Sequence, residues 1–145
     1  MQHGLYPVAD WKACGKIDEI IYSWADLLNA FAAIALDQET SVEEKATKIS
    51  ELGNGLLRKF LVVVERQLSS QAAAPQQADF LVGESISIAD FAMAALLFNI
   101  VKNEHGIFKE HLDPLLAGYP LVSAYSERLR EALHAHLESR DALPF

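Results

Sequence analysis

The chain has 145 residues, enough for one domain with a sizeable core and too few for two ordinary ones. Hydrophobic residues make up 51% and charged residues 22%, the balance of a chain that folds. The formal net charge of -8 argues against nucleic acid or an anionic membrane as partner, since both demand a basic footprint.

Cys14 is the single cysteine, so no internal disulfide framework exists, and no His/Cys spacing resembles a zinc site. The longest apolar run, Phe91 to Phe98, falls far short of the ~20 residues a membrane helix needs. Residues 1–7 lack the charged-then-apolar order of a signal peptide. The expectation is a cytoplasmic protein with no bound metal or resident cofactor.

In chain order, the first long helix runs from Ala9 to about Leu36. Ile17, Ile21, Trp24, Leu28, Phe31 and Ala35 fall at steps of three and four and predict its buried face. A second helix opens at Ser41, where Ser41 and Glu44 have capping-box spacing. Its predicted stripe is Ile49, Leu52, Leu56, Phe60 and Val63, in continuous phase across Gly53 and Gly55. Those glycines mark either an interruption of the helix or a close approach of neighbouring backbone, and the continuous phase favours the close approach. Ser69 to Asp79 is small, polar and aperiodic and reads as a surface loop.

Ser87 and Asp90 form a second capping box, with Ile86 and Phe91 placed to close a hydrophobic staple. The helix they open is apolar nearly all round, from Ile88 to Val101, and should be the central one, with Gly106 as its C-cap. A short helical piece between Phe108 and Leu116 breaks near Pro114. The last helix spans about Leu121 to Leu137, with Val122, Tyr125, Leu129, Leu133 and His136 inward and Glu127, Arg128, Arg130 and Glu131 in water. The fold class is an all-α bundle with a buried central helix starting near Ser87.

No nucleophile elbow, phosphate loop, dinucleotide fingerprint or zinc-protease motif occurs. His134 and His136 lie two apart, on different faces of a helix, and make poor joint ligands. Cys14 near a helix start reads as a small buried hydrophobe before it reads as a reactive thiolate. Asp26 stands apart. It lies about half a turn off the apolar stripe, among Tyr22, Ser23, Asn29, Ala30, Ala33 and Leu36. That mixed face fits a ligand cleft or subunit interface, but spacing alone favours a solvated carboxylate on an exposed strip.

The run Gly83-Glu84-Ser85-Ile86-Ser87-Ile88-Ala89-Asp90-Phe91, opening a buried helix, resembles the capping-box and staple motif of the C-terminal domain of glutathione transferases. Phe80-Leu81-Val82 before it and Tyr119-Pro120-Leu121 before the last helix fit the same pattern. Gly4-Leu5-Tyr6-Pro7 resembles the interdomain connection. Ile17-Asp18-Glu19-Ile20 through Trp24-Ala25-Asp26-Leu27-Leu28 resembles that domain's first long helix, closest to the sigma-like group. The resemblance divides the chain into 1–8, a remnant of the connection, and 9–145, the helical domain.

The resemblance implies a wall of the hydrophobic-substrate site and part of a dimer surface. It places Asp26 against the α-amino group of glutathione held by the neighbouring subunit, a charge-assisted pair. It makes Asn29, Ala33, Leu36, Ala92 and Leu96 candidates for the substrate wall, and Ser87, Asp90, Ile86 and Phe91 folding residues. It implies no catalytic residue here. The family's thiol-activating groups sit in a preceding thioredoxin-like domain, the expected partner along with a homodimer mate or another protein, and glutathione enters only as co-substrate of the two-domain parent. Whether the chain belongs to an enzyme therefore stays open. Two other readings stand beside this one: a standalone interaction module of the kind found in translation factors and synthetase complexes, and a non-catalytic carrier of apolar ligands.

Overall fold

The computed structural model describes residues 4–73 and 79–139. Among them there is no strand, and the architecture is all-α. Helix α1 spans Trp11–Ala35 and α2 spans Val42–Leu52. A π-helical turn, Gly53–Leu57, joins α2 to α3, Arg58–Ala72. Helix α4, Ile88–Ala95, ends in a second π-helical turn, Leu96–Val101. The short α5, Lys109–Leu112, passes into a 3₁₀ turn over Asp113–Gly118 with Pro114 in its first turn. Helices α6, Pro120–Ala132, and α7, His134–Ser139, complete the chain.

Local chemistry sets the helix starts. Asp10 accepts from the N–H groups of Lys12 and Ala13 at 3.0 and 3.1 Å, so α1 opens at Trp11, two residues later than the expected Ala9. Ser41 and Glu44 close the expected box at α2. Tyr119 offers α6 no side-chain cap. Glu65 of α3 does so from outside, its two oxygens accepting from the N–H groups of Leu121 and Val122 at 3.0 and 2.9 Å.

Helix α4 is the central element, as its composition predicts. It packs between α1 and α6, and every residue from Ala92 to Phe98 except the half-buried Ala95 is buried. It ends at Val101, however, so Gly106 lies in the following loop and is not its C-cap. Gly83 does need to be glycine: its φ of 76° turns the chain into the Ser87 box. The box itself forms, while Phe91 is 42% exposed and stands outside the core.

The helix phases differ from expectation in two places. On α1 the buried residues are Ile17, Ile20, Leu27, Phe31 and Ile34; Leu28 is exposed, and Ile21, Trp24 and Ala35 only flank the core. Adjacent apolar pairs such as Leu27 and Leu28 fit either of two rotations, and packing against α4 selects one.

Between α2 and α3 the expected continuous stripe breaks. Arg58 N–H donates to the carbonyl of Gly53, five residues back, so the turn holds one extra residue. The buried set shifts to Ile49, Gly53, Leu57, Phe60, Leu61, Val64 and Leu68, leaving Leu56 and Val63 at the surface. The expected close approach is found at Gly53 alone, and it comes from side chains: a Cβ there would lie 2.9 Å from Leu112 Cδ2 and 3.0 Å from Leu115 Cδ1. At Gly55 it would meet nothing within 4 Å.

Two further expectations fail. Helix α3 continues through Ala72, so Ser69 to Ala72 is not loop, and residues 74–78 of that segment lie outside the described residues. The last helix is interrupted at Leu133, and His136 falls on the exposed α7 instead of pointing inward. Cys14 is half-buried, its Sγ donating to the Pro7 carbonyl at 3.2 Å.

Ser126 is fully buried and its hydroxyl has no hydrogen-bond partner among the described residues. An orphaned buried hydroxyl keeps its desolvation cost without return. Ser126→Ala should therefore raise stability by about 1 kcal/mol, a gain measurable by thermal or urea unfolding.

Candidate functional site

Among the described residues, two clusters of polar side chains differ in kind. The first is internal. Asp90 has no exposed surface and accepts four hydrogen bonds. Oδ1 takes the Leu81 N–H at 2.9 Å and the Tyr125 hydroxyl at 2.5 Å; Oδ2 takes the N–H and the hydroxyl of Ser87, both at 2.8 Å. Burial, and then the Asp90 charge, hold the Tyr125 phenol well above its ordinary value, so Tyr125 stays a donor. Gln67 and Gln71 of α3 both donate to the Leu81 carbonyl, at 2.8 and 3.2 Å. This closed network ties α3, α4, α6 and the segment before α4 together. Both oxygens of the buried Asp90 carboxylate are committed to donors of the chain itself, so the network stabilises structure.

The second is the open face of α1. Tyr22, Asp26, Asn29, Ala33 and Leu36 follow one another at steps of four, three, four and three and all are exposed, Tyr22 to 73% and Leu36 to 65%. Asp26 makes no ion pair among the described residues. The face thus combines one unpaired carboxylate with small and apolar neighbours. Ala92 and Leu96 stand elsewhere: both are buried on the central helix, at 8% and 1% exposure. Asn29, Ala33 and Leu36 remain on an open surface that Ala92 and Leu96 do not reach from within the core.

At the start of the chain, Tyr6 donates its hydroxyl to both oxygens of Asp18, at 2.9 and 3.0 Å. That hydrogen bond, ahead of burial, pushes the Tyr6 phenol far above its ordinary value. The Leu5 carbonyl accepts the N–H of Ile88, the first residue of α4, at 3.1 Å. Residues 5–7 thus latch the chain's start across α1 and α4.

A groove of about 740 Å³ opens between the end of α1, the first turns of α2 and the 104–114 segment. Ala35, Val42, Ile49 and Ile107 line it with apolar groups, and Lys45 and His111 line it with polar ones. The sequence held no signal for it, because its walls come from segments far apart in the chain. No group of three or more His, Cys, Asp or Glu side chains among the described residues is placed to hold a metal ion. No helix among them is long and apolar enough to cross a membrane.

The family model for the glutathione S-transferase C-terminal domain matches residues 25–140. The chain belongs to the glutathione S-transferase C-terminal domain family. The match includes the central helix with its Ser87–Asp90 box and most of the open α1 face, including Asp26. No curated protein matches the sequence at a significant level. The buried network braces this fold, and α1 with its open face packs on the central helix.

Proposed function

We propose that the chain serves as the helical half of a glutathione S-transferase-type protein, offering a wall for the apolar co-substrate and a surface for dimer formation. Thiol activation then comes from a thioredoxin-like domain that packs with it. The observation that carries this reading is the open α1 stripe, where Asp26 stands unpaired between Tyr22 and Asn29 with Ala33 and Leu36 beyond. A carboxylate in such a place can meet the ammonium of a glutathione held by a neighbouring subunit, while Ala33 and Leu36 supply shape.

Tyr6 supports the division of labour. A thiolate-stabilising tyrosine must point its hydroxyl hydrogen at sulfur, whereas the Tyr6 hydrogen is committed to Asp18. The domain would function in the cytoplasm, where glutathione is reduced and abundant. A second reading, a protein-interaction module, draws on the exposure of Trp11, Tyr22 and Val42, apolar groups that commonly mark a docking face.

The test is Asp26→Ala in the protein carrying both domains. The KM for glutathione should rise about fivefold, the ~1 kcal/mol expected of a solvent-facing charge-assisted contact, with kcat little changed. An unchanged KM in a variant that remains dimeric removes Asp26 from the site. A chain that never pairs with a thioredoxin-like domain, and instead co-migrates with another protein, favours the second reading.

A further inference from the structure

Helix α3 has a solvent face unlike the rest of this acidic protein. Lys59, Val62, Val63, Arg66 and Ser70 recur at helical spacing and all are exposed, Val62 to 43% and Val63 to 37%. Leu56, in the preceding π-helical turn, is exposed to 38%. Arg58 adds a third exposed cation. None of Arg58, Lys59 and Arg66 makes an ion pair among the described residues. The helix carries one carboxylate, Glu65, and it is turned away to cap α6.

The valines need an explanation. The inward face of α3 is already complete with Phe60, Leu61, Val64 and Leu68. β-Branched residues are poor helix formers, so Val62 and Val63 weaken the helix and give the core nothing in return. Apolar side chains flanked by unneutralised cations on a chain of net charge -8 form a surface whose complement is apolar and acidic.

We propose that the outer face of α3 docks an acidic amphipathic helix of a partner protein, its apolar stripe on Val62 and Val63 and its carboxylates on Lys59 and Arg66. Charge selects among the possible occupants. A second copy meeting this face across a twofold axis would set cation against cation. An anionic membrane usually needs a cluster of 4–8 basic residues, and this face offers Arg58, Lys59 and Arg66. A carboxylate-bearing helix satisfies both the cations and the valines.

The experiment uses the 145-residue chain and a fluorescein-labelled helical peptide of about 18 residues, with leucines on one stripe and glutamates beside them. Anisotropy should show saturable binding that weakens about tenfold between about 50 and 300 mM salt. The variant Lys59→Glu/Arg66→Glu should lose at least about tenfold in affinity, and Val62→Ala/Val63→Ala about threefold, both with the wild-type circular dichroism spectrum because all four positions are exposed.

Any of the following would overturn the proposal: no binding by the glutamate peptide; equal binding by the same peptide with lysine in place of glutamate; affinity unmoved by the charge reversal; or preferential binding to phosphatidylserine vesicles. Self-association abolished by the charge reversal would equally assign the face to a second copy and sink it.

Discussion

Replacing Asp90 with alanine is expected to destabilise the domain by about 3–5 kcal/mol, a large fraction of what a domain of this size has to lose. The substitution orphans four donors at once: the N–H groups of Leu81 and Ser87 and the hydroxyls of Ser87 and Tyr125. Each buried donor left unsatisfied costs about 1–3 kcal/mol, and relaxation recovers part of the sum. Asp90→Asn should cost less but stay destabilising, because its amide nitrogen would replace one acceptor with a donor facing other donors.

Tyr125→Phe removes only one of the four partners and should cost about 1–2 kcal/mol. Urea unfolding followed by circular dichroism ranks the three variants, and a loss below about 1 kcal/mol for Asp90→Ala would show that the network is dispensable. The functional consequence is indirect. The network fixes α4 against α6 and the segment before it, and α4 in turn carries α1 with its open face.

Phe31→Ala should cost about 3–5 kcal/mol by a different mechanism, the cavity left by an aromatic ring. Phe31 of α1 is 1% exposed, and its ring meets that of Phe108 edge-on, the centroids 5.1 Å apart and the planes at 69°. Phe108, also buried, leads directly into α5. The pair therefore fastens the segment that bounds the 740 Å³ groove to the helix that displays Asp26. A double-mutant cycle between Phe31→Ala and Phe108→Ala should return a coupling of about 0.5–1.5 kcal/mol beyond simple burial. A coupling near zero would mean that the two rings merely share a core.

The Asp26 face was legible in the sequence as far as its spacing goes. Tyr22, Asp26, Asn29 and Ala33 lie on one helix and Leu36 caps its end, so helical periodicity is enough to align them. The positions expected to form a substrate wall were less legible. Ala92 and Leu96 belong to a helix that is apolar on every side, and periodicity cannot say which of its faces looks outward. The chain's order conveys the composition of such a helix but not its rotation.

What the sequence determined alone was whatever depends on neighbours three or four residues apart. It includes the all-α class, the boxes at Ser41–Glu44 and Ser87–Asp90, the burial of the helix from Ile88, and the break near Pro114. These rest on short-range hydrogen bonds and helical periodicity, which are properties of the local chain.

Tertiary structure decided the rest. It chose Leu27 over Leu28 on α1, inserted the π-helical turn that moves the α3 stripe by one residue, sent the Glu65 carboxylate to the start of α6, and brought Tyr125 to Asp90. Each of these depends on which distant surface an element meets, a quantity set by packing the whole core and carried by no local window of residues.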